Sequence, residues 1–219
     1  TLTGHVTNIE SITADDDYLY TTCINRETKI WDKITFEEIQ SLHSGGAPIQ
    51  CIAVDDKYIY LGSFRVLRIV LKENHKRYLL FKRHKNTISS IAIDDKKIYT
   101  ASFDKTIKIW NKRKINLLFN NGIFRKIFYR NQFLNKLYGT KEEKTLKSNK
   151  RALSAIVTNN KYIFTGSYGN VIKIWDKKTL NVIKKINTHS GGISTLSIDN
   201  KHLYSGSLDN TIKVWKILN

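Results

Sequence analysis

The sequence is poor in sulfur and lacks a long apolar segment. It has no methionine, and its start at TLTGH resembles the end of a strand, so we expect a trimmed or partial chain. Its two cysteines, Cys23 and Cys51, lie inside alternating strand patterns, and we interpret them as small buried thiols of a reducing, intracellular compartment, cytoplasmic or nuclear. There is no run of 18 apolar residues and no signal-type start, so neither a membrane span nor secretion is predicted.

Sequence signatures of catalysis are also lacking. The chain contains no GxxxxGK[ST], GxSxG or HExxH motif and no CxxC pair, so the sequence predicts a non-enzymatic protein without a cofactor. Three aspartate runs, Asp15-Asp16-Asp17, Asp55-Asp56 and Asp94-Asp95, each lie between two strand patterns. Because aspartate favours tight turns, we interpret them as hairpin turns and expect no metal there.

An imperfect repeat organises the chain. Its best copy, Ser90 to Trp110, has alternating apolar residues interrupted by Asp and Lys clusters, which predicts three strands joined by two tight turns. All four tryptophans of the chain end a copy of this pattern. Clear copies occupy 154–175 and 194–215, and looser copies occupy 10–31 and 51–70.

The spacing and the ends of the copies resemble a known family. Third strands end at Trp31, Val70 and Trp110, which are 39 and 40 residues apart. A period near 40, a Gly-His pair at the start (Gly4-His5) and a Trp-Asp pair at the end resemble the WD40 family. The resemblance implies an all-β, WD40-type β-propeller with one four-stranded blade for each repeat.

The number of blades is less obvious than the fold. The interval between Trp110 and Trp175 is 65 residues, one period plus 25, and we interpret 120–149 as a degenerate, incomplete fourth blade whose third strand is Thr145-Leu146-Lys147. The alternatives are a long insertion that leaves five good blades, a disordered loop omitted from the sequence, or a partial seven-bladed protein. We expect one domain over 1–219, with blades at about 4–42, 43–83, 84–119, 120–149, 150–186 and 187–219, the last closed by residues 1–3.

The resemblance also implies a structural hydrogen-bond network in the best copies. In the family, a His before strand one is linked to a hydroxyl of strand two, an Asp of the next turn and the Trp that ends strand three. The matching residues are His84, Asp104 and Trp110 with Thr100 or Ser102, and His189, Asp209 and Trp215 with Ser205 or Ser207. In the first repeat Asn25 takes the place of the Asp.

By the same resemblance, we expect a partner protein or peptide at the narrow face of the propeller. Five residues that precede the turn Asp position are apolar or aromatic, namely Ile24, Phe64, Phe103, Tyr168 and Leu208. Such residues in turns would anchor a peptide, although they could instead pack between blades. The flanks of strand one are mostly small or polar and add Asn8, Glu10, Gln50, Ser89 and Arg125.

A positive charge of +18 is the largest feature of the composition. Segment 111–151 holds twelve Lys or Arg against two Glu, with interleaved aromatic residues that either form a blade core or stack on bases. The charge is either a bias of composition or a surface for nucleic acid or an acidic partner. The alternative function is a nucleic-acid- or ribonucleoprotein-associated subunit, for which the candidate residues are Lys112, Arg113, Lys114, Arg130, Lys144, Lys147, Lys150 and Arg151.

Overall fold

The computed structural model describes residues 1–43, 46–76, 78–120, 142–148, 150–187 and 189–217. These residues form seventeen strands and one helix. The strands make four sheets in which neighbouring strands are antiparallel. The first sheet has the order β1 (Ile9–Ala14), β2 (Tyr18–Cys23), β3 (Glu27–Asp32) and β4 (Glu38–His43).

The second sheet has six strands and combines two repeats. It contains β5 (Ile49–Val54), β6 (Tyr58–Leu71), β7 (Tyr78–Ile93), β8 (Lys97–Ser102), β9 (Thr106–Asn111) and β10 (Lys144–Lys147), with β10 at one edge and β5 at the other. The long β7 is shared, because its first half pairs with β6 and its second half with β8.

The third and fourth sheets each hold one repeat. The third has the order β11 (Leu153–Thr158), β12 (Tyr162–Ser167), β13 (Ile172–Asp176) and β14 (Val182–Ile186). The fourth has three described strands, β15 (Ile193–Ile198), β16 (His202–Ser207) and β17 (Ile212–Lys216).

The aspartate runs form hairpin turns between the first two strands of a repeat. The Asp94 carboxylate accepts the backbone N–H groups of Lys96 at 2.8 Å and Lys97 at 2.7 Å, and Asp15 accepts those of Asp17 and Tyr18 in the same way. These bonds satisfy the turn amides and reverse the chain, which fixes the register of the strands that follow.

The prediction of six blades is wrong, as are its five-bladed and seven-bladed alternatives, because the structure shows four sheets. The expected second and third blades share β7 and form one sheet. Thr145-Leu146-Lys147 is not the third strand of a separate fourth blade. It belongs to β10, which pairs with β9 as the outer strand of the preceding repeat, with Leu146 opposite Ile107. The remainder of the expected fourth blade, residues 121–141, lies outside the described residues.

The expected closure by residues 1–3 is not found in the described part of the chain. Residues 1–3 are outside its strands, and the sheet of β15–β17 gains no fourth strand from them. The neighbouring Gly4 lies instead against the first sheet, where a Cβ added to it would be 3.2 Å from the Trp31 ring.

The core lies between successive sheets, and the two outer sheets each keep one apolar face exposed. Ile9 at the start of β1 is 57% exposed, whereas the equivalent Ile49 of β5 is 1% exposed. Ile212 at the start of β17 is 77% exposed, whereas the equivalent Ile172 of β13 is 1% exposed. The first and last sheets therefore carry the same apolar side chains that are buried between two sheets elsewhere in the protein, but here no second sheet among the described residues covers them.

A helix, α1 (Lys112–Asn120), follows β9, where the sequence predicted only strands. Asn111 caps its start, because the Asn111 side-chain oxygen accepts the Lys114 N–H at 3.2 Å. Ile115 and Phe119 are buried on one face, four residues apart. No helix in the described ranges is long and apolar enough to cross a membrane.

Candidate partner-binding face

One recurring hydrogen bond brings the two predicted sets of site residues to the same end of the sheets. In four repeats, the residue that follows strand two donates its backbone N–H to a carbonyl just before strand one. The turn between strands two and three is therefore held against the segment that enters strand one. The pairs are Ile24 with Asn8 at 3.2 Å, Phe103 with Thr87 at 2.9 Å, Tyr168 with Ala152 at 3.0 Å and Leu208 with Gly192 at 2.9 Å.

Four of the five predicted apolar turn residues are exposed, but Phe64 is not in a turn, because it lies within β6 and pairs with Thr87 of β7. The exposed fractions are 42% for Ile24, 51% for Phe64, 45% for Tyr168 and 64% for Leu208. Phe103 is half-buried, and its ring centroid is 5.9 Å from that of Tyr168. Packing between sheets therefore accounts for Phe103, but leaves the other four side chains available at the surface.

The strand-one flanks are used largely to connect neighbouring repeats. The Ser89 hydroxyl donates to the Leu153 carbonyl at 2.7 Å, which links β7 to β11. The Gln50 amide donates to the Glu10 carboxylate, which links β5 to β1. Asn8 is exposed, and Arg125 lies outside the described residues. Of the flank residues we singled out, Ser89 and the Glu10–Gln50 pair thus have structural contacts that sequence reasoning did not anticipate.

The third repeat contains a chain of hydrogen bonds through a buried histidine. His84 Nδ1 lies 2.8 Å from the Asp104 carboxylate, and His84 Nε2 lies 2.8 Å from the Thr100 hydroxyl, which also accepts the Trp110 indole N–H at 3.1 Å. Burial would raise the pKa of Asp104, but hydrogen bonds from His84 and Thr106 outweigh it and hold that pKa well below its usual range.

The last repeat has the same arrangement. His189 lies 2.8 Å from both Asp209 and Ser205, and the Ser205 hydroxyl accepts the Trp215 indole N–H at 3.0 Å. Thr100 and Ser205 are therefore the strand-two hydroxyls of the two networks. Ser102 instead donates to the Thr87 carbonyl at 2.8 Å, which supports the turn beside Phe103.

A groove with many positive charges lies beside Tyr168. It has a volume of about 810 Å³, and its cationic lining residues come from β10, the segment before β11, and the third sheet. Burial, and then the charge of Lys185, lower the pKa of Lys173, as expected where cations crowd together. The lining includes Lys147, Lys150, Arg151, Tyr168, Lys173 and Lys185.

The rest of the predicted basic surface does not join this groove. Lys112 forms an ion pair with Asp55 at 2.5 Å. Arg113, Lys114 and Lys144 are exposed and are not part of the groove lining, and Arg130 lies outside the described residues. Of the predicted basic residues that the structure describes, only Lys147, Lys150 and Arg151 therefore line the groove. Lys173 and Lys185 also line it, although the spacing of the strands in the sequence does not predict that they lie beside these residues.

The repeat, the networks and the sheet order agree with a family comparison. The family model for the WD domain, G-beta repeat, matches residues 1–32, 75–111, 140–176 and 180–216. The chain belongs to the WD-repeat family. Propellers of this family are in general non-enzymatic scaffolds that bind protein partners.

Solved structures support the fold. The computationally designed Ika8 protein aligns with a TM-score of 0.75 at 18% identity, U3-55K with 0.78 at 17%, and the RRP9 WD40 repeats with 0.78 at 18%. Each alignment covers 98% of this chain but only 60%, 63% and 62% of those chains, respectively, so this chain spans about three fifths of their length. A search of curated proteins finds no match.

Proposed function

We propose that this chain is a non-enzymatic scaffold that binds a partner protein or peptide at its narrow face. The observation that carries the proposal is the recurrence of exposed apolar side chains at equivalent positions of four repeats, at the turn residues Ile24, Tyr168 and Leu208 and at Phe64 within β6. Exposed aromatic and aliphatic side chains on a preformed surface are typical anchors for a partner. Because the backbone N–H groups of Ile24, Tyr168 and Leu208 are already hydrogen-bonded and Phe64 lies in a paired strand, little conformational entropy would be lost on binding.

The basic groove suggests the chemistry of the partner. Tyr168 belongs both to the apolar turn set and to the groove lined by Lys150 and Arg151. A peptide with an apolar or aromatic residue next to acidic residues would contact both surfaces at once. The charge would favour association and orientation, and the aromatic contact would supply most of the affinity.

Selection from a displayed library of random peptides would test this proposal. The wild-type protein should enrich peptides in which acidic residues flank an apolar one, and those peptides should bind the Phe64→Ala and Tyr168→Ala variants at least about tenfold more weakly. Phe36→Ala is the matched control, because Phe36 is 62% exposed but lies in the turn at the opposite end of the first sheet. Equal loss of binding in Phe36→Ala, or no loss in Tyr168→Ala, would refute the narrow-face site.

Binding of nucleic acid by the same groove is the second candidate. The observation in its favour is the combination of Lys147, Lys150, Arg151 and Lys173 with one exposed aromatic ring, Tyr168. Random single- and double-stranded RNA and DNA should then bind with an affinity that decreases log-linearly with salt concentration, and the slope should be smaller in a Lys150→Glu, Arg151→Glu variant. Lys178→Glu, an exposed lysine of the turn after β13, is the control. Absence of binding at moderate salt would leave the peptide proposal alone.

A further inference from the structure

The first repeat departs from the third at three alternate positions around its histidine. In the third repeat, Ser102 ends strand two, Asp104 lies in the next turn and Thr106 begins strand three. The Asp104 carboxylate is hydrogen-bonded to His84 Nδ1 and Thr106, and the Asp104 N–H donates to the Ser102 hydroxyl. In the first repeat the corresponding residues are Cys23, Asn25 and Glu27. A thiol and a carboxylate therefore replace two hydroxyls, and a neutral amide replaces the aspartate.

These replacements bring three donor atoms together in the interior. His5 Nδ1, Cys23 Sγ and a carboxylate oxygen of Glu27 lie within 4.8 Å of one another, and Nδ1 is 3.8 Å from Glu27 Oε2. The Cys23 residue is fully buried, and the side chains of His5 and Glu27 are only 6% and 12% exposed.

The nitrogen that faces this cluster lacks a partner. His5 Nδ1 is buried and makes no hydrogen bond, whereas His84 Nδ1 in the third repeat is bound to Asp104 at 2.8 Å. Leaving a buried polar atom unpaired is costly, and native proteins rarely do so without a functional reason. A ligand that accepts the lone pair of Nδ1 would satisfy it.

We propose that His5, Cys23 and Glu27 form a zinc-binding site. Imidazole nitrogen, thiolate sulfur and carboxylate oxygen are the ligands that Zn²⁺ prefers. Bonds of about 2.0–2.3 Å in a tetrahedral site place ligand atoms about 3.3–3.8 Å apart, so donor atoms that now lie within 4.8 Å of one another would approach by at most about 1–1.5 Å. Water, or His43 after a side-chain rotation, completes the coordination, since His43 Nε2 is 3.8 Å from Glu27 Oε1.

The surroundings of the three ligands suit a metal. His5 Nε2 lies 2.6 Å from the Thr21 hydroxyl, so with Nδ1 on the metal the other ring nitrogen would carry its proton and donate it to Thr21. Ser41 donates to Glu27 Oε1 at 2.7 Å, which leaves Oε2 toward His5. The nearby positive charge of Lys29 opposes a cation, since Lys29 Nζ lies 3.5 Å from Glu27 Oε1, but its shorter ion pair is with Glu38 at 2.6 Å.

Titration of the untagged, chelator-treated protein with Zn²⁺ and with Co²⁺ tests the proposal. We expect one metal ion per chain, a thiolate-to-cobalt charge-transfer band, and a higher melting temperature in zinc, since a ligand that binds the folded state stabilises it. In Cys23→Ser the cobalt band should disappear, and zinc affinity should fall by at least about 10–100-fold, the loss that even an outer-shell change brings.

Two further variants make the result decisive. The triple variant Cys23→Ser, Asn25→Asp, Glu27→Thr reproduces the residues of the third repeat, so we expect it to fold and not to bind zinc. Cys51→Ala removes the other buried thiol, on β5, and should bind zinc as the wild type does. The proposal is overturned if the wild type takes up no stoichiometric metal, if the triple variant binds as tightly as the wild type, or if only Cys51→Ala loses binding.

Discussion

Lys112 Nζ lies 2.5 Å from the Asp55 carboxylate, and this ion pair joins the end of the third repeat to the hairpin turn of the second. The same carboxylate accepts the Tyr60 hydroxyl at 2.7 Å and the turn N–H of Tyr58 at 2.9 Å. The arrangement recurs between other repeats, where Lys72 binds Asp15 and Lys177 binds Asp94. One aspartate therefore both shapes a turn and links it to the next repeat.

We expect Lys112→Met to destabilise the protein by about 1–2 kcal/mol, between the values for exposed and buried ion pairs. The loss arises because Asp55 would keep its charge in a mostly buried place without a cation. The measurement is urea unfolding at neutral pH. Arg113→Met, at the next and exposed position of α1, is the control and should change stability by less than about 0.5 kcal/mol. An equal effect of both variants would contradict a specific role for the pair.

Stability should fall in acid because of these aspartates. Burial would raise the pKa values of Asp15, Asp55 and Asp94, but the lysine partners and the other hydrogen bonds to each carboxylate together outweigh it, so all three pKa values lie below the ordinary value. A carboxylate whose pKa is lowered in the folded state stabilises that state at any pH above the ordinary pKa of about 3.9. This stabilisation is lost as the pH falls from there through the lowered pKa. The urea concentration at the midpoint of unfolding should therefore be constant from about pH 7 to 5 and should decrease below about pH 4. The decrease should be shallower in Asp55→Asn.

The sequence predicts the individual hairpins of the fold well, but it does not predict how the repeats are arranged into sheets. Alternating apolar residues and aspartate turns predict the hairpins because these signals are local. The strand at Thr145-Leu146-Lys147 was predicted, but not its place as the outer strand of the third repeat, since Lys144–Lys147 pairs with β9 more than thirty residues away and has only one buried side chain, Leu146. Helix α1 was missed because Ile115 and Phe119 are too few to give a clear helical period.

The candidate site was also only partly predictable. The apolar turn residues follow from repeat spacing, which places equivalent residues at one end of every sheet. The basic groove does not, because Lys173 and Lys185 come from paired strands while Lys147 and Arg151 come from another part of the chain. The cluster of His5, Cys23 and Glu27 was not predicted, because His5 was interpreted only as part of the Gly-His start of a repeat and Cys23 only as a small buried thiol, although Asn25 in the aspartate position was the visible signal.

Asp104→Ala should cost about 2–3 kcal/mol of stability, because it leaves both the buried His84 Nδ1 and the Lys85 N–H without their acceptor. Chemical denaturation is the measurement. Asp95→Ala is the control, since Asp95 is exposed in the hairpin turn and should have little effect. If Asp104→Ala were as stable as Asp95→Ala, the hydrogen-bonded chain would not contribute to the stability of the third repeat.

Helix α1 should contribute to the core through one aromatic contact. The Phe119 ring centroid lies 4.8 Å from that of Tyr58, and Phe119 is 3% exposed. Phe119→Ala should therefore destabilise by about 3 kcal/mol or more through the cavity left against Tyr58. Leu117→Ala, on the same helix and 52% exposed, should cost less than about 0.5 kcal/mol, because Leu117 is not part of the buried core and alanine favours a helix. Urea unfolding followed by circular dichroism compares the two. If the two variants were equally stable, the helix would not be packed on the second sheet, and the apolar residues of β6 would need another cover.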